Sequence, residues 1–332
     1  MGAREMREGR TFWTAMILGL VLALGSGSQA AEASPFAYVP NGASDNVSVI
    51  DTGAVPPAVV AIIPVGTRPS GVAVTPDGTR AYVTNFFSNT VSVIDTASNT
   101  VTATVSVGTH PNQAAVTPDG KRAYVTNTDS NSVSVIDVAS NTLDDPPIPV
   151  GAFPAGVAIT PDGARAYVAD GRDGAVSVID TAANMVVGPP IAVGKLPIGI
   201  AISPNGARAF VINNGSRTIS VIDIASNAVV ATVAGGGGEV AITPDGKRAY
   251  VTNSPSNSVS VIELAANIVA ASIPVGSFPT GVAVTPDGAR VYVANLSSNN
   301  VSVIDTATNS VIGSPIPVGK SPEAVGFAAP SK

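Results

Sequence analysis

The chain of 332 residues contains no cysteine, one histidine (His110) and one tryptophan (Trp13). Without thiols it forms no disulfide, no thiolate metal site and no covalently attached haem. Charge is also scarce: Asp, Glu, Lys and Arg make up 12% of the residues, against about 25% in an ordinary globular domain. A helical bundle or coiled coil is excluded, because exposed helix faces need those strong helix formers. Disorder is excluded as well, since hydrophobic residues reach 45% at a net charge of only -6. Glycine (33) and proline (27) are abundant instead, among many Val, Ile and Ala.

The first thirty residues have the pattern of a secretory signal. Arg4, Arg7 and Arg10 precede an apolar run from Thr11 to Leu24, followed by small residues from Gly25 to Ala33. That run is shorter than the ~20 residues a membrane-spanning helix needs, so no span is expected after cleavage. Ser28 and Ala30 suit a cut before Ala31; Ala31 and Ala33 suit one before Ser34. With no adjacent arginine pair in this segment, general secretion to the periplasm, the medium or the cell surface is the simpler route. Trp13 goes with the signal. The remaining chain holds 14 basic and 21 acidic residues with no basic arm or patch, which makes phosphate-driven nucleic-acid binding an unlikely role.

The chain is one unit repeated seven times. Pro-Asp-Gly recurs with Asp at 77, 119, 162, 245 and 287, and Asn205 takes the same place, giving spacings of 42, 43, 43, 40 and 42. VSVID or a close variant ends at Asp51, Asp95, Asp137, Asp180, Asp223, Glu263 and Asp305. Each unit carries four short β-rich segments, such as GVAVT, RAYVT, TVSVI and VTATVSV, bounded by turn formers. Four strands in about forty residues is the signature of a propeller blade. The chain begins at the second segment of a unit and ends on an orphan first segment, 322–329. The expected fold is therefore an all-β, seven-bladed β-propeller with four antiparallel strands per blade. The C-terminal inner strand (322–329) would close the ring against three N-terminal strands. The domain reading is a signal over 1–30, a short segment 31–35 and a single propeller over 36–330.

GVAVTPDGTRAYVTN at 71–85, TVSVID at 90–95 and the YVTN strings at 82–85, 124–127 and 250–253 resemble the forty-residue YVTN β-propeller repeat family, over essentially all of 36–329. The resemblance implies an extracytoplasmic, surface-layer-like propeller of bacteria or archaea. It implies little chemistry: the wider group of seven-bladed propellers includes lactonases, amine dehydrogenase subunits, haem-d1 nitrite reductase domains and plain interaction platforms.

Residues present in every unit are explained by the blade, so function is sought where units differ. The repeated Arg after the turn glycine (Arg80, Arg122, Arg165, Arg208, Arg248, Arg290) reads as hairpin support, and the Asp ending VSVID as a turn-capping acceptor. The loops entering the inner strands and those joining the second and third strands share one face, the top. There the varying residues are Arg68, Phe86, Phe87, His110, Gln113, Asp129, Phe153, Arg172, Lys195, Arg217, Glu239, Phe278, Lys320 and Glu323. Gln113, Glu239 and Ala324 replace a glycine used elsewhere. His110 reads as an exposed loop imidazole unless Glu239, Glu323 or Asp129 converge on it. The Phe residues, with Arg68, Lys195, Arg217 and Lys320, form an expected aromatic and basic rim. The GGGG run at 235–238 is a shortened loop, with no helix behind it to hold a phosphate.

Haem and quinohaem chemistry lacks its ligands, and a single histidine marks out no Ser-His-Asp arrangement. The leading expectation is a non-enzymatic, monomeric scaffold binding a protein, peptide or glycan on its top face, with no cofactor. The alternative is a lactonase-like hydrolase with a divalent cation at the channel mouth; a weaker one is single-stranded nucleic-acid binding by the rim. Convergence of Gln113, Glu239, Glu323 and Asp129 in one pocket would favour an enzyme.

Overall fold

A computed structural model describes residues 35–144 and 146–328. The expected signal and nearly all of segment 31–35 lie outside the described residues, as do Ala329 and Pro330. Seven antiparallel sheets form the seven blades of a β-propeller. Blade 1 contains Phe36–Asn41, Asn46–Asp51 and Ala58–Pro64, and blades 2 to 7 begin with inner strands at Pro69, Pro111, Pro154, Pro197, Val240 and Pro279. The expected C-terminal inner strand is realised as Gly326–Ala328, paired with Phe36–Asn41 through Tyr38↔Gly326 and Phe36↔Ala328. One further bridge, Asn41↔Pro322, extends the closure.

Burial along a blade follows strand order. The second and third strands, such as Arg80–Asn85 and Thr90–Asp95, are buried on both faces, whereas the outer strand Thr100–Ser106 alternates. Seven apolar clusters fill the spaces between neighbouring blades. The cluster between blades 7 and 1, for example, packs Tyr292 and Ala294 against Ala37 and Val39. In blades 3, 4 and 7 the outer strand is broken in two, as in Met185–Val186 and Ile191–Ala192. The breaks fall at proline-containing segments (146–147, 189–190 and 315), where a ladder donor is missing.

Two polar devices recur. Within a blade, the last residue of the second strand is a buried Asn whose amide donates to a serine of the third strand: Asn85 Nδ2 to Ser92 Oγ at 2.9 Å, Asn127 to Ser134 at 2.9 Å. Between blades, the second-strand Tyr donates to an Asn in the outer turn of the next blade: Tyr82 to Asn141 at 2.9 Å, Tyr124 to Asn184 at 2.7 Å, Tyr167 to Asn227 at 2.6 Å. The repeated Arg also acts between blades rather than within its own hairpin; Arg122 Nη1 donates to Thr181 O at 2.9 Å and Arg248 Nη1 to Thr306 O at 2.6 Å. The VSVID aspartates cap their turns as expected. Asp95 Oδ1 accepts from Ser98 N at 2.8 Å and Ser98 Oγ at 2.7 Å, bonds that hold its carboxyl below the usual range.

Each device has exceptions. Blade 5 carries Phe210 where the other blades have Tyr, and the facing Asn267 Oδ1 is buried without a partner. Blade 1 has no Asn in its outer turn (52–57), and Tyr292 OH is correspondingly orphaned. Blade 4 has Asp170 in place of the locking Asn. Ser177 Oγ donates to its Oδ2 at 2.6 Å; its Oδ1 has no partner, as in the locks of Asn41, Asn85, Asn127 and Asn295, but here the group is ionisable and burial pushes its carboxyl up to about 6.

Two expectations follow. Phe210→Tyr supplies the missing partner of Asn267 and raises unfolding stability by about 1 kcal/mol; a midpoint equal to or below the parent's in thermal or urea unfolding contradicts it. Asp170 is raised above its unfolded value near 4, so the protonated form suits the fold and stability declines as pH rises from about 4 to about 6. Asp170→Asn removes that decline and stabilises the protein by roughly 2 kcal/mol at pH 7. Unfolding curves of both proteins at pH 4.5 and pH 7, in about 0.1 M salt, check it: an equal difference at both values defeats the assignment.

Candidate channel-mouth site

The inner strands carry no bulk where they meet. A Cβ on Gly71 would lie 2.5 Å from Asn112 O, one on Gly156 2.4 Å from Ile198 O, and one on Gly281 2.4 Å from Ala324 Cα, so each blade rests on the backbone of the next. This ring opens on the top face into a cavity of about 370 Å³. The residue after the entering-loop proline lines it in six blades (Ser70, Asn112, Ala155, Ile198, Thr280, Glu323), and Gly238 lines it in blade 6. Larger crevices lie on the opposite face, but they are made of the repeated turns: Thr117, Asp119 and Arg122 in one, Thr160, Asp162 and Arg165 in another. Such recurrence marks them as joints between blades.

Gln113 and Glu239 stand in the glycine column and reach across the mouth to each other, with Gln113 Nε2 donating to Glu239 Oε1 at 2.8 Å. Burial pushes the Glu239 carboxyl up to about 8, and the Gln113 bond is the only influence acting the other way. Glu239 is therefore mostly protonated at neutral pH. Glu323 lines the same cavity, its Oε1 4.0 Å from Arg68 Nη2. Burial raises its carboxyl and the guanidinium partly offsets that rise.

Arg68 leads to a second cluster. Its guanidinium lies 5.3 Å from the Phe86 ring centroid and 5.2 Å from that of Phe87. Phe86 stacks on His110 at 4.4 Å, and His110 Nδ1 is 2.7 Å from Asp129 Oδ2. His110 is thus fixed by a ring and a carboxylate rather than being a free loop imidazole. Asp129 serves His110 and does not line the mouth, so of the four residues expected to converge, Gln113, Glu239 and Glu323 share one cavity and Asp129 stands apart.

Of the expected rim, Arg68, Phe86, Phe153 and Phe278 line the mouth. Phe87 packs beside them with a half-exposed ring. Arg172 lies outside, its guanidinium 5.2 Å from the Phe153 ring, and Lys195, Arg217 and Lys320 are exposed away from the cavity. The residue before the entering-loop proline is left-handed in six blades: Arg68 (φ 52°), His110 (54°), Phe153 (61°), Leu196 (51°), Phe278 (53°) and Ser321 (54°). Large side chains rarely adopt this conformation, and each costs on the order of 1–3 kcal/mol. Asn214, which varies among the second loops, also lines the mouth, as do Asn112, Ser254 and Thr280, which were not singled out from sequence. Reading the column after the loop proline down the seven units would have found Asn112 and Thr280.

A family model described as a seven-bladed lactonase β-propeller matches residues 34–145, and one described as a YNCE-like β-propeller matches 230–329. The chain is a seven-bladed β-propeller protein. No curated protein matches it. Among solved structures, hydrazine synthase of Kuenenia stuttgartiensis is 28% identical at a TM-score of 0.72, over 80% of this chain and 90% of that chain. A candidate 6-phosphogluconolactonase of Bacteroides fragilis is 18% identical at 0.78, over 90% and 99%. A protein of unknown function from Desulfotomaculum acetoxidans is 18% identical at 0.78, over 90% and 100%. At 18% identity the likeness concerns the fold alone.

The donor chemistry of the mouth does not suit a divalent cation. One carboxyl is held neutral against an amide and the other faces a guanidinium. No group of three or more His, Asp or Glu among the described residues is placed to hold a metal. Because Gln113 alone lowers the Glu239 pKa, Gln113→Leu moves it further above about 8. Carboxyl ¹³C titration of Glu239 reads this directly; an unchanged or lower value refutes the pairing.

Proposed function

We propose that the propeller is an extracytoplasmic hydrolase that opens lactone rings at the channel mouth without a metal ion. The observation that carries this reading is Glu239, a carboxylic acid protonated at neutral pH and facing a cavity that also holds a second carboxyl and a guanidinium. The lactonase match to 34–145 supports the reaction class. The YVTN-like repeats and the signal pattern of 1–30 support the compartment.

Lactone opening needs a water oxygen added to the carbonyl carbon, a proton removed from that water and a proton given to the departing ring oxygen. Glu323, in its carboxylate form beside Arg68, accepts the water proton. Glu239 donates its own proton to the ring oxygen as the C–O bond breaks, and Gln113 holds that carboxyl in place. Arg68 stabilises the negative charge that develops on the carbonyl oxygen. The two carboxyls exchange their protons with solvent before the next turnover.

A second reading, a non-enzymatic binding scaffold, is favoured by the six left-handed rim residues. They hold arginine, histidine, phenylalanine and leucine side chains in costly conformations around the mouth, an arrangement suited to presenting a fixed surface to a partner.

Hydrolysis of glucono-δ-lactone, corrected for the spontaneous rate, distinguishes the two. The expected kcat/KM profile is bell-shaped, rising as Glu323 ionises and falling above about pH 8 as Glu239 deprotonates. Glu239→Gln lowers kcat by roughly 10²-fold or more and removes the alkaline limb. No hydrolysis above background, or parental rates in both Glu239→Gln and Glu323→Gln, overturns the hydrolase reading and leaves the scaffold.

A further inference from the structure

The wall of the mouth is incomplete at blade 6. In blade 5, Gly194 N donates to Asn213 Oδ1, and the glycine of the inner column, Gly199, follows five residues later. In blade 6 the equivalent donor is Gly236, bonded to Asn253 Oδ1 at 3.1 Å. The inner-column residue, Glu239, follows only three residues later, and its backbone N–H donates to Thr252 Oγ1 at 2.9 Å, as the backbone N–H of Gln113 does to Thr126 Oγ1. The entering loop is thus two residues shorter, and blade 6 has no counterpart of Arg68 or Phe278 in the rim. What remains is glycine backbone. Beside this notch a groove of about 600 Å³ runs between blades 5 and 6, sharing Asn214, Gly237 and Pro255 with the mouth. The loop is held in place, since Asn214 Nδ2 donates to Gly237 O at 2.8 Å.

We infer that the site takes an extended saccharide, with the terminal sugar in the mouth and the chain leaving through the notch between blades 5 and 6. Resting on the lactone-opening reading, the substrate is an oligosaccharide whose end unit is a sugar lactone. The lining chemistry fits. Phe153 and Phe278 give the mouth flat faces for the C–H side of a sugar ring, and Asn112, Gln113 and Asn214 supply amides for its hydroxyls. The groove continues with Pro255 and the exposed Ser256, and Arg217 is its one charged side chain. A free monosaccharide lactone would use the mouth and leave the groove unfilled.

The parent is assayed with glucono-δ-lactone, maltobionolactone and cellobionolactone, and KM for at least one disaccharide lactone is expected to be tenfold or more lower. Gly237→Trp places a ring in the notch: a Cβ there meets only Pro255 Cδ, at 3.9 Å. Ser256→Trp, on an exposed turn, blocks the groove from the other wall. Each variant is expected to bring the KM ratio close to one, and a tenfold ratio surviving in both overturns the inference. So do equal KM values for all three lactones in the parent. Calorimetric titration with maltotetraose and cellotetraose reads the groove without turnover, so it separates this inference from the hydrolase reading. A parent that opens no lactone yet binds one tetrasaccharide, and loses that binding in Gly237→Trp, sustains the groove and defeats the chemistry. Heat from neither saccharide, or from tetra-alanine alone, overturns the saccharide assignment.

Discussion

Seven inner strands have to fit around one axis, and the close approach of their backbones governs much else in this propeller. Gly71, Gly156, Gly199 and Gly281 stand where a methyl group would collide with the neighbouring strand, at 2.4 to 2.8 Å from its backbone. Where the strands touch in this way there is no room for chemistry. The three exceptions, Gln113, Glu239 and Ala324, fall in blades 3, 6 and 1. Two of them carry long polar side chains, and these meet across the mouth at 2.8 Å. The same crowding that makes the ring rigid partly buries Glu239 at the mouth, and that burial raises its pKa to about 8.

Away from the axis, polar groups are handled by repetition. Most blades lock their second and third strands with a buried Asn–Ser bond and hold their neighbour with a Tyr–Asn bond, so these amide and hydroxyl donors are satisfied in the same way at most joints of the ring. Because the devices are periodic, single departures have local consequences. Phe210 orphans Asn267, and Asp170 introduces an ionisable group into a site built for an amide. The mouth departs from the repeat at several neighbouring positions, including Gln113, Glu239 and the loop shortened at Gly237, whereas the left-handed position of the rim recurs in six blades and varies only in its side chain. A concentration of irregularities on one face of a regular ring is where function is expected, since the blade requires none of them.

Strand order, blade number and ring closure were legible because they rest on local signals: alternating β-branched residues, Pro-Asp-Gly turns and an orphan segment at each end of the repeat array. Much of the site was legible for a related reason, since the seven units align against one another and mark Gln113, Glu239 and Glu323 as different. The aromatic and basic rim was half legible. Arg68, Phe86, Phe153 and Phe278 line the mouth, whereas Lys195, Arg217 and Lys320 lie three positions from the nearest lining residue (Ile198, Asn214 and Glu323) and are exposed. His110 and Asp129 sit on the two neighbouring top loops of blade 3, 19 residues apart; Asp129 was one of three carboxylates open as a partner for His110, and the 2.7 Å bond selects it.

The repeated sequence by itself determined the seven sheets, their closure and the low charge of their doubly buried strands, because each of these follows from contacts within a unit or between a unit and its copy. Tertiary structure decided which of the differing residues face one another. Gln113 and Glu239 are 126 positions apart and come together only because the blades that carry them lie across the same channel. Their bond, and the burial that keeps Glu239 protonated, depend on the curvature of the whole ring, which no single forty-residue unit contains.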